Sequence, residues 1–419
     1  MGMSLRVVGF GDGYGLPQLQ RHLPPGALVA VVGAELRPQY FAPLQKLADS
    51  LDIPFLVQPP RTSPNYPQFP ITLAALEPDL IIVNSYSMKL HPDVLAIPRR
   101  GGVNVHGALL PEYRGSNPIQ WALLNNELET GVTMHYMDAN FDTGDIIAQR
   151  RVPIFFADTW QDIQARLLTA TEDLLAEELP RLLSGTNSRV PQDESRARYY
   201  CRRHPEDGRI DWQASVLQIY NLVRALVKPH PGAFYLEGPQ WVVLDEYLAL
   251  PQIARLKYGS AGGQTLELHQ ISLRPSQHQD LPALLDPDNW SSPLLNELFN
   301  SQADGSVEER FATLLQQNDT ALFGIHLLEG QKIIGLGQLS HIDYSDQTTR
   351  VKVLFREGAN VEFKHIQEAL KLLVKYAFEE LELQNIYLDV NESDTAIMKV
   401  GATLGFGRKA KLARSAYER

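Results

Sequence analysis

The 419-residue chain contains one cysteine, Cys201, so an intrachain disulfide and a cysteine-rich zinc module are excluded. No run approaches about 18 consecutive apolar residues, so a transmembrane helix is not expected. The N-terminal residues combine one arginine with a short apolar run and lack a small-residue cleavage site, which predicts a first β-strand and no signal peptide. These absences predict a cytoplasmic protein without a membrane partner or a metal site.

An excess of basic residues is also missing. Residues 1–250 carry 21 Lys and Arg against 27 Asp and Glu, and residues 251–419 carry 17 against 22. Neither part has the positive balance that favours binding to a phosphate backbone, so no nucleic-acid partner is expected. A basic cluster does crowd the C-terminus, where a solvated tail is the simplest interpretation: Arg408, Lys409, Lys411, Arg414 and Arg419.

The apolar pattern of the first half predicts an α/β fold. Three short β-branched runs, each bounded by Pro, Gly, Asp or Asn, predict strands: 5–10, 27–33 and 79–84. They alternate with segments of helical periodicity such as 39–51, which predicts a parallel sheet covered by helices on both faces. Residues 159–184 predict a strong amphipathic helix, and the polar stretch 185–198 predicts an exposed linker.

The remainder divides at a second linker. Residues 212–227 predict a helix, KPHPGAF a turn, and residues 241–250 a strand. The Gly-rich stretch 258–265 predicts a linker, after which a new alternation of strands and helices continues towards the C-terminus.

Four glycines follow the first strand: Gly9, Gly11, Gly13 and Gly15. They resemble a dinucleotide-binding turn, but Tyr14 stands where the final glycine of G-x-G-x-x-G belongs, and no acidic residue clearly ends the second strand. A tight strand-to-helix turn is the better interpretation.

The residues with the clearest chemistry are Asn104, His106 and Asp142. If 102–106 is a strand, Asn104 and His106 point to one side of it, and Asp142 lies in a loop before the next predicted strand. A carboxamide N–H can stabilise an oxyanion, an imidazole can accept a proton, and a carboxylate can orient that imidazole. These are suitable groups for acyl transfer to an amine, although each residue taken singly is more simply explained by a turn, cap or core position.

Three motifs in order carry a specific resemblance: N-V-H-x-x-L-L-P-x-Y-R-G-x-x-P-I-Q-W-A, then E-T-G-V-T, then D-T-G-D-I-I, followed downstream by RRHPEDGRIDW and KPHPGAF. From about residue 5 to 250 the chain resembles the formyltransferases that use 10-formyltetrahydrofolate, including methionyl-tRNA formyltransferase and sugar N-formyltransferases. The resemblance implies a Rossmann-like fold, that folate as cosubstrate, and Asn104, His106 and Asp142 as the active site.

The resemblance also implies a mechanism and a folate site. The substrate amine attacks the formyl carbon, Asn104 and protonated His106 stabilise the oxyanion, and proton transfers involve His106 and Asp142. The folate pteridine lies against the loop after a central strand, here 84–88, mainly through its backbone. The residues implied on the cofactor side are Tyr86, Ser87, Met88 and Asp138. An ordinary β–α loop is the alternative.

Segment 199–250 resembles that of sugar N-formyltransferases, and the acidic chain after 250 differs from the basic barrel expected of the tRNA enzyme. The predicted substrate is a nucleotide-linked amino-deoxy sugar, a surface-glycan precursor on UDP or dTDP; such enzymes are often homodimers. Candidate substrate contacts are Arg114, Gly115, Trp121, Tyr199, Arg202, Arg203 and Lys228, with Tyr200, Arg224 and His230 as further aromatic or cationic groups. A buried ion pair for Arg114, a core position for Trp121 and a tRNA substrate stay open.

Residues 266–419 resemble the GNAT acyltransferase superfamily, through ISLRPSQHQDLPAL, an amphipathic helix at 363–381, a strand at 385–391 and ATLGF. The superfamily binds the acetyl-CoA pyrophosphate on R-x-x-G-x-G/A, whereas Ala359 and Val361 stand at the two small positions here, with Glu357 and Glu362 adding negative charge. The usual tyrosine is absent from Val400-Gly401-Ala402. A degenerate module is therefore expected; a bifunctional formyl- and acetyltransferase and a noncatalytic scaffold are the alternatives.

The predicted domains are a Rossmann-like catalytic domain at 1–190, a linker with a small C-terminal subdomain at 191–258, and a GNAT-like α+β domain at 266–419.

Overall fold

The computed structural model describes residues 5–13, 15–260, 265–280, 306–356, 359–391, 394–407 and 411–413. The chain forms two compact units, Met1–Pro205 and Glu206–Arg419. Within the described ranges, no helix is long and apolar enough to cross a membrane. Tyr14, the loop residues Glu357 and Gly358, and the predicted basic tail apart from the backbone of Lys411 lie outside these ranges.

The first unit alternates strands and helices as the sequence predicts. Its strands are β1 (Val7–Phe10), β2 (Leu28–Ala34), β3 (Phe55–Gln58), β4 (Leu80–Asn84), β5 (Gly102–His106), β6 (Arg114–Gly115), β7 (Glu129–Tyr136), β8 (Ile146–Pro153) and β9 (Tyr199–Tyr200). Its helices are α1 (Gly15–His22), α2 (Phe41–Leu51), α3 (Gln68–Ala74), α4 (Pro92–Leu95), α5 (Pro118–Leu124) and α6 (Trp160–Ser184).

The main sheet has the order β3-β2-β1-β4-β5-β7-β8. The five strands from β3 to β5 are parallel, as predicted, and their near-continuous apolar runs are typical of strands buried on both faces. The sequence analysis did not anticipate that β7 and β8 add to this sheet in antiparallel orientation. The carboxyl ends of β4 and β5 meet at one edge, which places loop 84–88 close to His106.

The glycine-rich turn after β1 allows unusually close packing. A Cβ atom on Gly11 would lie 2.7 Å from the Asn84 carbonyl oxygen, and one on Gly15 would lie 2.3 Å from it. The Asn84 carboxamide also donates a 3.0 Å hydrogen bond to the Gly15 carbonyl. The prediction of a tight strand-to-helix turn is therefore confirmed, because these two glycines let α1 begin against the end of β4.

The predicted long helix is α6, whose ends are both marked in the sequence. Thr159 and Asp162 form a capping box at its start, and Gly185 ends it with a left-handed φ of 74°. Its apolar stripe, including Ile163, Leu167 and Leu174, is buried.

The second unit contains β10 (Ala233–Glu237), β11 (Gln240–Leu244), β12 (Leu266–Glu267), β13 (Ile271–Pro275), β14 (Ala321–Leu327), β15 (Ile333–Asp343), β16 (Thr348–Phe355), β17 (Asn385–Leu388) and β18 (Lys411–Ala413). Its described helices are α7 (Val216–Ala225), α8 (Leu250–Arg255), α9 (Val307–Leu314), α10 (Phe363–Lys375) and α11 (Thr395–Thr403). Strands β12 to β18 form one sheet in chain order, in which β16 and β17 pair in parallel and the other neighbours are antiparallel.

Several predicted boundaries in this unit were too long. The strand expected at 241–250 ends at Leu244, because Pro251 and a hydrogen bond from the Ala249 N–H to Gln252 start α8 instead. The helix expected at 212–227 begins only after Ser215, which caps it. The helix expected at 363–381 is α10 followed by a π-helical turn, Tyr376–Glu380, and the strand expected at 385–391 ends at Leu388.

A buried ion pair joins the segment after residue 206 to the π-helical turn that follows α10 in the same unit. The Lys257 ammonium is 1% exposed and lies 2.7 Å from a Glu380 carboxylate oxygen and 2.9 Å from the Ala214 carbonyl. The same Glu380 oxygen accepts the Val216 N–H at the start of α7, and Ser215 donates to Glu382. Glu380 therefore neutralises a buried cation and stabilises a helix N-terminus at once.

We predict that Glu380→Gln destabilises the second unit by about 3–5 kcal/mol, because it leaves the Lys257 charge buried without a counter-charge. Glu379→Gln is the matched control, since Glu379 is half exposed and pairs loosely with Lys375 at 3.8 Å, a surface contact worth about 0–1 kcal/mol. Urea unfolding measures both free energies. Equal losses in the two variants would contradict the assigned role of Glu380.

Candidate active site

The three predicted side chains come together at the edge where β5 ends. Asn104 and His106 project from the same face of β5, and Asp142 comes from the loop between β7 and β8. Asp142 adopts a left-handed φ of 56°, a conformation that aspartate tolerates better than most residues. Its strained backbone turns the carboxylate towards β5.

Asp142 lies at the centre of the cluster. One carboxylate oxygen is 3.4 Å from the Asn104 amide nitrogen and 3.6 Å from Nε2 of His135, and the other is 3.7 Å from Nδ1 of His106. The Gly115 N–H donates to that second oxygen at 2.8 Å. The side chains of His106, Asp142 and His135 are 8%, 12% and 2% exposed, so their charges interact with little screening by water.

The hydrogen-bond partner of His106 identifies which of its ring nitrogens carries a hydrogen. Nε2 lies 2.8 Å from the Tyr113 carbonyl oxygen, which can only accept, so Nε2 carries a hydrogen and donates it. Nδ1 is then the ring nitrogen that gains or loses a proton, and it is the one that faces Asp142.

His135 is a site residue that the sequence analysis missed. Its Nδ1 donates to the Tyr136 carbonyl at 2.8 Å, so Nε2 accepts from the Asn104 amide at 3.2 Å when the ring is neutral. The residue lies opposite Asn104 in the antiparallel pair of β5 and β7. In the sequence, His135 is marked only by its position two residues after E-T-G-V-T. That position points to the site only once the pairing of β7 with β5 is known.

The Asp142 carboxylate is held in its charged form. Burial alone raises its pKa, but the charge of His106, the hydrogen bond and charge of His135, and the Gly115 N–H outweigh burial and hold the pKa well below its ordinary value. Asp142 is therefore better suited to stabilise a protonated imidazole than to take up a proton itself.

The low pKa of Asp142 makes a prediction about acid stability. Its ionisation stabilises the fold above the unfolded-state pKa of about 3.9, and this contribution is lost as pH falls below that value towards the folded-state pKa. As pH falls below about 4, the free energy of unfolding should therefore decrease less in Asp142→Asn than in the wild type. Urea unfolding at a series of pH values measures both. Asp145→Asn, on the same loop, is the control. Identical acid slopes in wild type and Asp142→Asn would exclude this contribution.

The loop that carries Asp142 is fixed from two sides. Asp138, predicted on the cofactor side, accepts hydrogen bonds from the Asn140 N–H at 2.9 Å and the Thr143 hydroxyl at 2.5 Å. Gln192, from the predicted linker, donates to the carbonyls of Asp142 at 2.8 Å and Gly144 at 2.7 Å. In the described structure, Asp138 shapes the loop.

The predicted cofactor loop follows β4 at the same edge of the sheet. The Tyr86 hydroxyl donates to Gln58 at 2.9 Å and its ring packs edge-on against Phe10, and burial raises its pKa well above the usual range. Tyr86 thus anchors the loop through its side chain, Ser87 donates its N–H to Asp12, and Met88 is half-buried. What this loop can offer a ligand is mainly its backbone.

Arg114 is fully buried, and all five of its N–H donors have partners within its own unit. Nε and one Nη donate to Gln192, and the two Nη atoms donate to Glu194 and the Tyr199 hydroxyl. Of the two alternatives left open by the sequence, this geometry favours the structural ion pair over a substrate contact, although Glu194 itself is exposed. Gly115 has a φ of 99° and approaches Tyr200 so closely that a Cβ would lie 2.4 Å from its carbonyl oxygen.

An aromatic platform lies in the same unit. The rings of Tyr113 and Tyr200 stack at 4.6 Å, Trp121 lies 5.2 Å from Tyr200, and the Arg203 guanidinium lies 5.0 Å from the Trp121 ring centre. Trp121 is half-exposed and donates to the Cys201 carbonyl. The structure therefore brings together the predicted substrate residues Trp121 and Arg203.

The other predicted substrate residues belong to both units. Tyr199 and Arg202 are exposed in the first unit. Lys228 belongs to the second unit, where its ammonium lies 3.2 Å from Asp245. Arg224 also belongs to the second unit but is 1% exposed and donates to Asn221, so it presents no surface charge.

The start of α10 does not suit the pyrophosphate of acyl-CoA. Such a site needs free backbone N–H groups, yet the Glu362 N–H donates to the His365 ring at 3.0 Å and the Val361 N–H donates to the Ala359 carbonyl at 2.7 Å. Glu362 itself adds a carboxylate at this position, paired with Lys364 at 3.0 Å. The described residues therefore oppose a bound pyrophosphate by both charge and geometry.

We predict that the full-length chain gives no saturable heat when titrated with acetyl-CoA, because the Val361, Glu362 and His365 N–H groups are already hydrogen-bonded and the Glu362 carboxylate lies beside them. A catalytically active acetyltransferase titrated in parallel verifies that the ligand is intact. Saturable binding to the full-length chain would show that this helix terminus accepts the pyrophosphate after all.

Comparisons with known proteins agree with this architecture. Three family models match the chain: Formyl transferase at residues 44–179, Formyl transferase, C-terminal domain at 203–250, and Acetyltransferase (GNAT) domain at 270–407.

Two solved structures are similar in fold. A sugar N-formyltransferase from a Shewanella species is 18% identical with a TM-score of 0.50, over 58% of this chain and 97% of that one. A 4-N formyltransferase from Francisella tularensis is also 18% identical with a TM-score of 0.50, over 59% of this chain and 99% of that one. These two structures support the fold, while the family matches show that the chain contains a formyl transferase domain and its C-terminal domain, followed by a GNAT acetyltransferase domain.

Proposed function

We propose that the protein transfers the formyl group of 10-formyltetrahydrofolate to the amine of a nucleotide-linked amino-deoxy sugar. The observation that carries the proposal is the buried cluster of Asn104, His106 and Asp142 within a domain that matches the formyl transferase family. The names of the two similar structures, a sugar N-formyltransferase and a 4-N formyltransferase, support an amino sugar as the acceptor.

The folate would supply an activated formyl group, so no serine or cysteine nucleophile is needed. A new C–N bond forms between the sugar amine and the formyl carbon, the bond from that carbon to the folate nitrogen breaks, and the proton that the amine loses is balanced by one that the departing folate nitrogen gains. The Asn104 amide would exchange its long 3.4 Å contact with Asp142 for a hydrogen bond to the formyl oxygen, where negative charge develops.

His106 and Asp142 have separate roles in the proton transfer. Since Nε2 of His106 is held by the Tyr113 carbonyl, its Nδ1 would exchange the proton that leaves the amine. The charged Asp142 would stabilise the resulting imidazolium across 3.7 Å. Asp142 is assigned as the charge partner, since its low pKa makes it a weak base. His135 would orient both Asn104 and Asp142, with which it shares contacts.

The aromatic platform supports the nucleotide part of the proposal. Trp121 offers a half-exposed ring for a base, and Arg203 beside it offers a cation for the diphosphate. Arg114 is assigned no contact with substrate, because its donors are already used.

Product mass analysis tests the activity. The protein is incubated with 10-formyltetrahydrofolate and a panel of UDP- and dTDP-linked amino sugars, and a gain of one formyl group on one sugar is the expected result. His106→Ala and Asn104→Ala should each lower the rate by about 10²–10⁴-fold, since each removes a group that acts on the reacting atoms. His269→Ala is the control, because this side chain is 88% exposed in the second unit.

Formylation of charged initiator tRNA, with no sugar modified, would replace the proposed acceptor with the tRNA alternative. Wild-type rates in His106→Ala would remove His106 from the mechanism.

A further inference from the structure

Asp12 occupies a position in the sheet at which ligands commonly bind. The strand order places β1 between β2 and β4, so the chain leaves β1 towards α1 at the point where the strand order reverses. In open α/β sheets, the crevice at the carboxyl ends of the strands beside such a point is a favoured ligand site. Asp12 lies in the turn directly after β1, facing the loop that follows β4.

Asp12 holds this loop at two backbone groups. Its own N–H donates to the Ser85 carbonyl at 2.6 Å, and its carboxylate accepts the Ser87 N–H at 3.0 Å. Ser85 has a left-handed φ of 58°, which costs conformational energy in a residue with a side chain. Asp12 donates one of these hydrogen bonds and accepts the other. They lie on either side of Tyr86 and offset that cost.

The contacts with Asp12 determine which backbone groups of the loop remain available to a ligand. Asp12 uses the carbonyl of Ser85 and the N–H of Ser87, and Tyr86 is anchored below by its side chain. Across the described residues, the backbone N–H and carbonyl groups of Tyr86 and Met88 have no hydrogen-bond partner. The loop therefore presents donors and acceptors at alternate residues on a fixed backbone.

The carboxylate itself is poorly placed to bind an anion. Its other oxygen is buried without a hydrogen-bond partner, and burial raises the pKa of Asp12. A negative charge in this turn also disfavours a phosphate, which a glycine-rich turn before a helix would otherwise attract. The arrangement suits a group whose work is to hold a neighbouring loop.

We infer that Asp12 is a positioning residue for the formyl donor, which fixes the loop after β4 so that the backbone of Tyr86 and Met88 can bind a flat heteroaromatic ring with alternating donors and acceptors. This inference rests on the proposed function. A loop already held in its binding shape loses less entropy when the ligand arrives, so the effect of Asp12 is expected in donor affinity.

The first test measures donor binding to the full-length chain by calorimetry, with 5-formyltetrahydrofolate as the unreactive probe. Asp12→Ala should weaken binding by about tenfold, the equivalent of one hydrogen bond of about 1.4 kcal/mol. Asp12→Asn keeps an oxygen that can accept the Ser87 N–H, and it should stay within about threefold of wild type. Asp49→Ala on α2, an exposed residue that bonds to Gln45, is the matched control.

The second test needs no folate and keeps the inference separate from the proposed function. Hydrogen–deuterium exchange of the peptide that spans the loop after β4 should accelerate in Asp12→Ala and remain near wild type in Asp12→Asn, while α6 stays protected as a check that the unit is folded. Unchanged exchange in Asp12→Ala would overturn the inference.

The calorimetric outcomes also distinguish failure of the proposed function from failure of the role of Asp12. Wild-type protein that fails to bind the probe would overturn the proposed function, whatever the exchange shows. Wild-type protein that binds the probe, together with equal affinity in Asp12→Ala, would overturn the role of Asp12 alone. Equal weakening in Asp12→Asn and Asp12→Ala would also overturn it, because the hydrogen bond to Ser87 would then not be the cause.

Discussion

The buried negative charge of Asp142 is the constraint on which the rest of the candidate site depends. A carboxylate removed from water needs compensation, and here two imidazoles, one carboxamide and the Gly115 N–H surround it. Each of these groups is fixed by a further contact to the backbone or to a neighbour. The positions of His106 and His135 are therefore set by a requirement for charge balance as much as by the strands that carry them.

The sequence predicted those parts of the site that depend on short-range rules. Alternation along β5 places Asn104 and His106 on one face, and the capping residues of α6 mark its ends. His135 escaped prediction, because its role arises only from the antiparallel pairing of β7 with β5. Gln192 escaped it because a polar stretch that predicts a solvated linker gives no sign that one residue returns to the Asp142 loop.

Residues 270–407 of the second unit match the acetyltransferase (GNAT) domain, whereas the loop before α10 lacks the small residues expected of a pyrophosphate site. Sheet order and apolar patterning follow from many small contributions, so they persist when single residues are replaced. A pyrophosphate site depends on a few small residues and free N–H groups, and the start of α10 has instead a carboxylate and a histidine cap. The buried pair of Lys257 and Glu380 joins two parts of this unit, the segment after residue 206 and the turn that follows α10.

Tyr113 belongs to two parts of the first unit at once. Its carbonyl oxygen holds the His106 ring, while its own ring stacks on Tyr200. One residue with a left-handed φ of 59° therefore joins the stacked pair to the imidazole. The aromatic platform and the proton-carrying ring share this stretch of backbone, so a change in the Tyr113 backbone conformation would disturb both.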